Sequence, residues 1–480
     1  MKFKLCCLAL LLFFGNPIIH AQKKQISAAC RIEFQGENFK NKMYYIASNF
    51  GKYQIVLDSV IGTPEGKIIF EKDKKYVEGI YMLVTKDKKI ETEFLMDENQ
   101  HFTIVPNATD VQKIQIQDSP LNNDFFAFNF FFKTKSDQLK ELETKFSAQK
   151  SKKDSINVLN KIKIIQGEIN IYKHDYIIKN RPNTLALLLK LTQPIDNFLD
   201  KPATEILKEK KDSIAYLKKH YFDGINFNDP RLLRNPFLEN KISSYFNFFI
   251  EQSPEAVTES VFEILEQTEK PNSETFKYLS LYFVDLYAEP KIMGLDRVFL
   301  NIYDKYFKNK TYDWLKPTQL EFFKFKVTSL KDNQIGDKSP NLFMLSLQDK
   351  RIDLYDVEAP YTVLAFWDPT CGHCTVEIPK MKLLYDKEWK QKGIVVFAIN
   401  NNTNEMVKWK EFIEKEKLQD WIHVYPPKVL NGNYTQEQVD FQTLYNVRQT
   451  PVFYLLDKDK KIIAKKVGFE NYIDIISKKK

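Results

Sequence analysis

The chain has 480 residues, 43% of them hydrophobic and 28% charged, which is the composition of a soluble globular protein with too much sequence for one core. Its net charge of +8 comes from lysines spread along the whole length and not from a basic arm. Without clustered cations to meet phosphates, that charge argues against a nucleic-acid partner and describes a solvated, lysine-rich surface.

Residues 1–21 read as a secretory signal. Lys2 and Lys4 give a positive start, Leu5 to Phe14 an apolar stretch, and Gly15, Asn16 and Pro17 a break. Ala21 is the small residue expected ahead of cleavage near Ala21–Gln22. The apolar run is too short to span a bilayer, and no other stretch approaches the roughly 18 apolar residues a span needs. The mature chain is therefore expected to be exported to the periplasm or cell envelope, without a membrane span. Cleavage would remove Cys6 and Cys7 and leave Cys30, Cys371 and Cys374. One close pair and one distant cysteine make a poor disulfide framework and a good redox centre. Cys30 is read as a small apolar residue opening a strand.

From residue 22 to 118 the pattern is strand-like. Arg31–Phe34, Met43–Ala47, Gln54–Leu57, Lys67–Phe70, Val77–Val84, Glu91–Met96 and Phe102–Val105 are separated by clusters of Gly, Asn, Asp and Lys. Short strands at this spacing predict a β-sandwich-like domain. From 119 to 331 the period becomes helical. Leu139, Leu142 and Phe146 share one face, as do Leu185, Leu188 and Leu189 after the Pro182 break. Pro202, Pro230, Pro236, Pro254, Pro271, Pro290 and Pro317 divide the segment into helices of ordinary length. An all-α domain with Phe and Tyr on its buried faces is predicted, and His174 and His220 lack ligand spacing there.

A linker is expected at Asp332–Pro340, and residues 332–480 then alternate strand and helix. Strands are predicted at Leu342–Leu347, Ile352–Leu354, Tyr361–Trp367 and Ile394–Asn400, and helices at Val376–Lys390 and Asn404–Lys415. Val452–Asp457 and Ile462–Val467 form a closing hairpin. Strand–helix alternation is the mark of an α/β domain, so the whole chain is expected to be multidomain α+β.

The chemistry sits where a strand ends and a helix begins, in Phe366-Trp367-Asp368-Pro369-Thr370-Cys371-Gly372-His373-Cys374. A cysteine at a helix N-terminus meets unpaired backbone N–H groups and the positive end of the helix dipole, which favour thiolate over thiol. Cys371 is thus the expected nucleophile, and Cys374, a turn further on, the resolving thiol. The other readings of a close pair are a zinc half-site and a structural crosslink. Zinc needs about four ligands, and beyond His373 only His423 is at hand in this part. A crosslink closing so short a loop contributes little stability. No metal or cofactor is expected.

These residues resemble the thioredoxin superfamily and, within it, the TlpA-like branch of exported thiol–disulfide oxidoreductases. The lead-in Ile335-Gly336-Asp337-Lys338-Ser339-Pro340-Asn341, Pro379 eight residues after Cys371, and Thr450-Pro451 ahead of a strand all match that pattern. The resemblance implies a C-terminal thioredoxin fold with a cis-proline at Pro451 beside Cys371. Thr450, Pro451 and Trp367 would then contact substrate, with the Thr450 backbone pairing to an extended client. It implies, too, that Glu377 takes the place of the buried aspartate of thioredoxin, whose position is Ala365, and exchanges protons with Cys374. His373, placed as in protein disulfide isomerase, would stabilise the Cys371 thiolate and make the couple less reducing than thioredoxin. Thr370 replaces a tryptophan at the rim. The β-rich segment resembles a domain of unknown function found ahead of thioredoxin modules in Gram-negative envelope proteins, and the helical one an uncharacterised domain preceding redox modules.

The implied activity is disulfide exchange with exported proteins, served by an envelope electron donor or acceptor. Two alternatives stand beside it. An envelope binding or scaffold protein would use the two leading domains to capture a partner and carry the redox module as an accessory. A thiol peroxidase would need threonine where Asp368 stands and proline where Leu364 stands.

Overall fold

Alternating apolar and polar residues on short strands build the N-terminal part in the computed structural model, which describes residues 28–107, 114–147, 152–193, 210–268, 273–427 and 440–478. The expected leader and its cleavage site lie outside the described residues, as do Pro202 and Pro271. No helix among the described residues is long and apolar enough to cross a membrane. The chain divides into two compact units. One is built on Met1–Ser48, Gln54–Ile169 and Asn183–Leu185, the other on Asn49–Tyr53, Asn170–Pro182 and Ala186–Lys480.

The first unit has eight strands: β1 (Cys30–Gln35), β2 (Met43–Phe50), β3 (Tyr53–Ile61), β4 (Lys67–Lys72), β5 (Gly79–Thr85), β6 (Ile90–Met96), β7 (His101–Val105) and β8 (Gln115–Gln117). They form two four-stranded sheets, ordered β4-β1-β7-β8 and β3-β2-β5-β6. One core joins them, with Ile32, Phe34 and Phe70 from the first sheet meeting Ile46, Tyr81 and Phe94 from the second. That is the expected β-sandwich-like arrangement. Cys30 opens β1 fully buried and packs with the apolar side chains, as predicted. Burial pushes its thiol up to about 11, which favours the protonated form. The next helix, α1 (Pro120–Ser147), is tied to β6 by Asn122. Its Oδ1 accepts from the Leu95 N–H (2.7 Å) and its amide donates to the Leu95 carbonyl (2.9 Å).

Helices continue with α2 (Lys152–Asn180), α3 (Thr184–Leu191), α4 (Lys210–His220), α5 (Leu238–Phe249), α6 (Pro254–Glu266), α7 (Glu274–Ala288), α8 (Asp296–Ile302) and α9 (Pro317–Leu330). Pro254 and Pro317 occupy first-turn positions of α6 and α9, where a missing N–H costs nothing. Ser253 caps α6 and Ser273 caps α7 through their hydroxyls. Most phenylalanines and tyrosines of α5 to α9 pack against one another in a single core, while Phe248, Phe322 and Phe325 stay exposed.

The C-terminal part comprises β9 (Phe343–Ser346), β10 (Arg351–Asp353), β11 (Tyr361–Trp367), α10 (Gly372–Leu384), β12 (Ile394–Asn400), α11 (Met406–Lys415), β13 (Ile422–Tyr425), the single turn α12 (Phe441–Leu444), β14 (Val452–Asp457), β15 (Ile462–Lys465) and α13 (Tyr472–Lys478). Its seven strands order as β10-β9-β13-β12-β11-β14-β15. β11 lies parallel to β12 and antiparallel to β14. Both faces of β11 are covered, so it is apolar from Val363 to Trp367, and buried Thr362 accepts from Lys460 Nζ at 3.0 Å. Val363, Ala365 and Trp367 enter one core, and Leu364 and Phe366 the other.

The segment expected as a linker is packed in part, with Asp332, Gly336, Asp337 and Lys338 exposed. Asn333 and Gln334 are each 1% exposed and Ser339 is fully buried. Asn333 donates to the carbonyls of Ser329 and Leu444, both at 2.6 Å. The Gly336 and Ser339 N–H groups donate to the carbonyls of Ile462 and Lys460, both at 2.8 Å. Small polar residues suit a solvated tether as well as a chain whose backbone is hydrogen-bonded to its neighbours, and composition does not separate the two. The helices from Ala186 and the C-terminal sheet therefore share one unit.

An ion pair seals that junction. Lys465 Nζ lies 2.5 Å from Asp296 Oδ2 and donates to the Asn333 carbonyl at 2.8 Å, with the two charged side chains 5% and 8% exposed. Burial pulls the ammonium below its ordinary value and Asp296 opposes that pull. Removing one partner strands the other charge, which typically costs about 3 kcal/mol or more. Asp296→Ala is therefore expected to lower the denaturant midpoint of this unit, and Asp296→Leu combined with Lys465→Met to restore most of the loss. Equal losses in both variants would show that the pairing itself is not what the junction depends on.

Candidate active site

β11 ends at Trp367, and the chain must turn to start α10. Asp368 makes that turn. Its Oδ1 accepts from the Thr370 N–H and hydroxyl, both at 2.7 Å, and its Oδ2 accepts from Asn402 Nδ2 at 3.1 Å. The Asp368 carbonyl takes the Cys371 N–H at 3.2 Å, and the Trp367 carbonyl takes the Asn401 N–H at 2.8 Å. The loops after β11 and β12 are thereby fastened together. Cys371 becomes the N-cap of α10 in an extended conformation (φ −77°, ψ 120°). Its own carbonyl starts the helix by accepting from the Thr375 N–H at 3.1 Å.

Cys371 is partly exposed and Cys374 is fully buried, both as free thiols. The Thr450–Pro451 peptide bond is cis, and the Cys371 thiol donates to the Thr450 carbonyl at 3.3 Å. Partial burial works to raise the Cys371 pKa but is outweighed. The Cys374 thiol, the Cys374 N–H, the Thr450 hydroxyl and the His373 N–H all stabilise its thiolate, and the net direction is below the ordinary 9.0. Cys374 goes the other way. Burial dominates, the nearby Cys371 adds to it, and the thiol is pushed up to about 12. One sulfur is ready to attack, and its neighbour holds a proton.

The remaining expected site residues divide. Thr450 and Pro451 stand beside Cys371. His373 is exposed on the first turn of α10, and it is its backbone N–H that faces the Cys371 sulfur. Glu377 lies on the same helix, half-buried, with Oε1 accepting from Lys380 Nζ at 2.7 Å. Trp367 corrects the expectation of a substrate contact. It is fully buried in the core with Cys374, its ring 5.2 Å from Phe412, and it supports the site from beneath. A tryptophan on an inward-facing strand position cannot also line the surface. Ala365 is buried in that core too, so no carboxylate stands at its position behind the thiols.

Sequence reasoning missed two residues, Asp368 and Asn402, and one role, that of the Thr450 hydroxyl. Asp368 and Asn402 fasten the loop, and the Thr450 hydroxyl reaches both sulfurs. An Asp-Pro-Thr run before a helix is a turn signal that would have found the first. The other two depend on loops far apart in the chain.

The C-terminal residues 335–465 match the model of the AhpC/TSA family, and residues 192–333 match that of a domain of unknown function (DUF5106). The thiol-disulfide oxidoreductase ResA of Bacillus cereus is 30% identical over 135 residues, covering 28% of this chain and 70% of that protein. A solved domain of a possible thiol-disulfide isomerase from Cytophaga hutchinsonii is 40% identical, with 30% of this chain and 92% of that one covered and a TM-score of 0.26. A thioredoxin-like protein from Bacteroides caccae is 19% identical over 59% of this chain and 98% of its own, with a TM-score of 0.46.

Thiolate is the form that alkylates, so a pKa below 9.0 puts the half-maximal rate of Cys371 modification by iodoacetamide at a pH below that of an ordinary thiol. Cys374 is expected to stay unmodified until far higher pH. Thr450→Val removes a donor to the thiolate and is expected to shift the Cys371 midpoint upward. Mass-resolved labelling across pH 5 to 10 checks both, and equal labelling of the two cysteines near neutrality would contradict the assignment.

Proposed function

The chain belongs to the thioredoxin-like thiol–disulfide oxidoreductases, and from that premise we propose that it exchanges disulfides with exported proteins through Cys371-Gly372-His373-Cys374. The observation that carries this reading is the division of labour between the two thiols, one accessible and held below its ordinary pKa, the other buried and held above it.

In the reductive direction the Cys371 thiolate attacks one sulfur of a client disulfide. A Cys371–client bond forms, the client's own S–S bond breaks, and the departing sulfur takes a proton. Cys374 then gives up its proton and attacks the Cys371 sulfur. The client leaves reduced, and a Cys371–Cys374 disulfide remains. An envelope electron donor returns two electrons and two protons, and an acceptor runs the same steps backwards. Glu377, about one helical turn beyond Cys374, is the group proposed to take the Cys374 proton through water once Lys380 yields it. The Thr450 backbone beside Cys371 suits an extended client that adds to it as a strand.

A thiol peroxidase fits less well. Asp368 spends both carboxylate oxygens on the loop, and Leu364 is buried in the sheet core.

Cys371→Ala is expected to abolish insulin reduction, and activity that survives it would overturn the nucleophile assignment. Cys374→Ala is expected to accumulate a mixed disulfide between Cys371 and client, visible on non-reducing gels and identifiable by mass spectrometry. Glu377→Gln is expected to slow turnover by about tenfold or more, an effect at the low end of general acid–base catalysis, while leaving the Cys371 alkylation midpoint in place. A shift of that midpoint without loss of turnover would give Glu377 an electrostatic part instead. With His373 beside the thiolate, equilibration against glutathione is expected to give a potential less reducing than that of thioredoxin. A value at or below thioredoxin's would remove His373 from that role.

A further inference from the structure

A cavity of about 680 Å³ opens directly beside Pro451. One wall is the start of β14 and the turn after β15. The opposite wall is the connection between α7 and α8, which runs through Glu289, Lys291 and Gly294. The catalytic segment and the helical segment thus build it jointly, within one unit.

Two observations point independently to what it holds. At its floor Asn446 is 4% exposed and its Oδ1 is buried without a hydrogen-bond partner, as is Oδ1 of Asp296, which is 6% exposed. A buried acceptor left unpaired costs on the order of 1–3 kcal/mol, and a ligand N–H removes that cost. At its margin stand Lys291, Arg448 and Lys466, none in a close ion pair among the described residues, although Arg448 lies over the Phe325 ring at 4.3 Å and Arg448 and Lys466 both act on Glu289 from a distance. The two carboxylates that line the cavity are already engaged, Glu289 by Lys326 at 2.7 Å and Asp296 by Lys465. The cavity therefore offers buried acceptors on one side and, on the other, three cations that outnumber the one carboxylate, Glu289, on which Arg448 and Lys466 act.

We infer that this cavity is a client subsite that takes acidic residues flanking the client's reactive cysteine, with the α7–α8 connection as its outer wall. The inference rests on the proposed disulfide exchange and adds a specificity to it. An extended client seated against Thr450 has its neighbouring residues carried past Pro451, and about four residues of extended chain are enough to run through the cavity. Its N–H groups meet Asn446 and Asp296, and its carboxylates meet Lys291, Arg448 and Lys466. The helical segment thereby acquires a task that an isolated thioredoxin fold cannot perform.

The test uses the full chain and two fluorescent peptides of equal length, one with Asp and Glu flanking a central serine and one with Gln and Asn there. Serine in place of cysteine separates binding from chemistry. Anisotropy is expected to give at least about tenfold tighter binding of the acidic peptide at low salt, as rim charges of one sign would produce. In a Lys291→Gln, Arg448→Gln, Lys466→Gln variant that preference is expected to fall to about one. These are exposed cations, so the variant keeps the fold, and Asn446→Asp offers a second probe, expected to weaken acidic-peptide binding by placing a charge on the floor. Equal binding of both peptides to the unaltered chain overturns the inference. So does a preference that the triple variant retains. Acidic-peptide binding in a chain that fails to reduce insulin would count against disulfide exchange and leave the subsite standing.

Discussion

Everything the site does depends on withdrawing one sulfur from water while leaving its neighbour at the surface. Cys374 sits in the same core as Val363, Ala365 and Trp367, and that burial keeps its proton on. Because it keeps its proton, it can donate to Cys371 and help hold the thiolate there. The two shifts are one arrangement seen from two atoms. Placing Cys374 in solvent would lower its own pKa and also weaken its donation to Cys371. The asymmetry is therefore a property of the β11–α10 junction, where an inward-facing helix position follows an outward-facing cap.

Holding that junction still falls to groups that never touch a client. β11 is hydrogen-bonded on both sides over most of its length, by β12 and β14, so its end is a fixed point. Asp368 then converts a strand end into a helix start with four hydrogen bonds, one of them to Asn402 on the next loop. The Thr450 carbonyl closes the arrangement from the third side. Three loops thus converge on one sulfur, each anchored to a neighbouring strand of the same sheet.

What could be read in the sequence follows from how local each feature is. The strand Tyr361–Trp367, its neighbour Ile394–Asn400 and the cysteine pair at a helix start were legible because each is set by a short run of residues. The short strand Ile422–Tyr425 was not, since four residues beside β12 carry no periodicity of their own. Trp367 shows a different limit. Its place next to the motif suggested a rim residue, but β11 is buried on both faces to its last residue, and Trp367 lies in the core with Val363 and Ala365. The Asp332–Pro340 stretch shows a third. Its residues have the composition of a tether, yet Asn333 and Gln334 are buried by partners more than a hundred residues away or on preceding helices. Local pattern names the elements, and only the packed chain names their neighbours.

That packed junction bears on why a redox fold carries a helical partner in the same unit. A purely apolar contact would hold the two segments with less desolvation cost than the buried pair of Lys465 and Asp296. It would also tolerate sliding, since apolar surfaces match in many registers. A charged pair hydrogen-bonded to Asn333 and Gln334 keeps those bonds in a narrow range of geometries. β15, which carries Lys465, borders the cavity beside Pro451, and α8, which carries Asp296, begins where the opposite wall ends. Fixing those two residues fixes two walls of the cavity beside Pro451. The costly interaction is placed where a loose junction would blur the shape of that cavity.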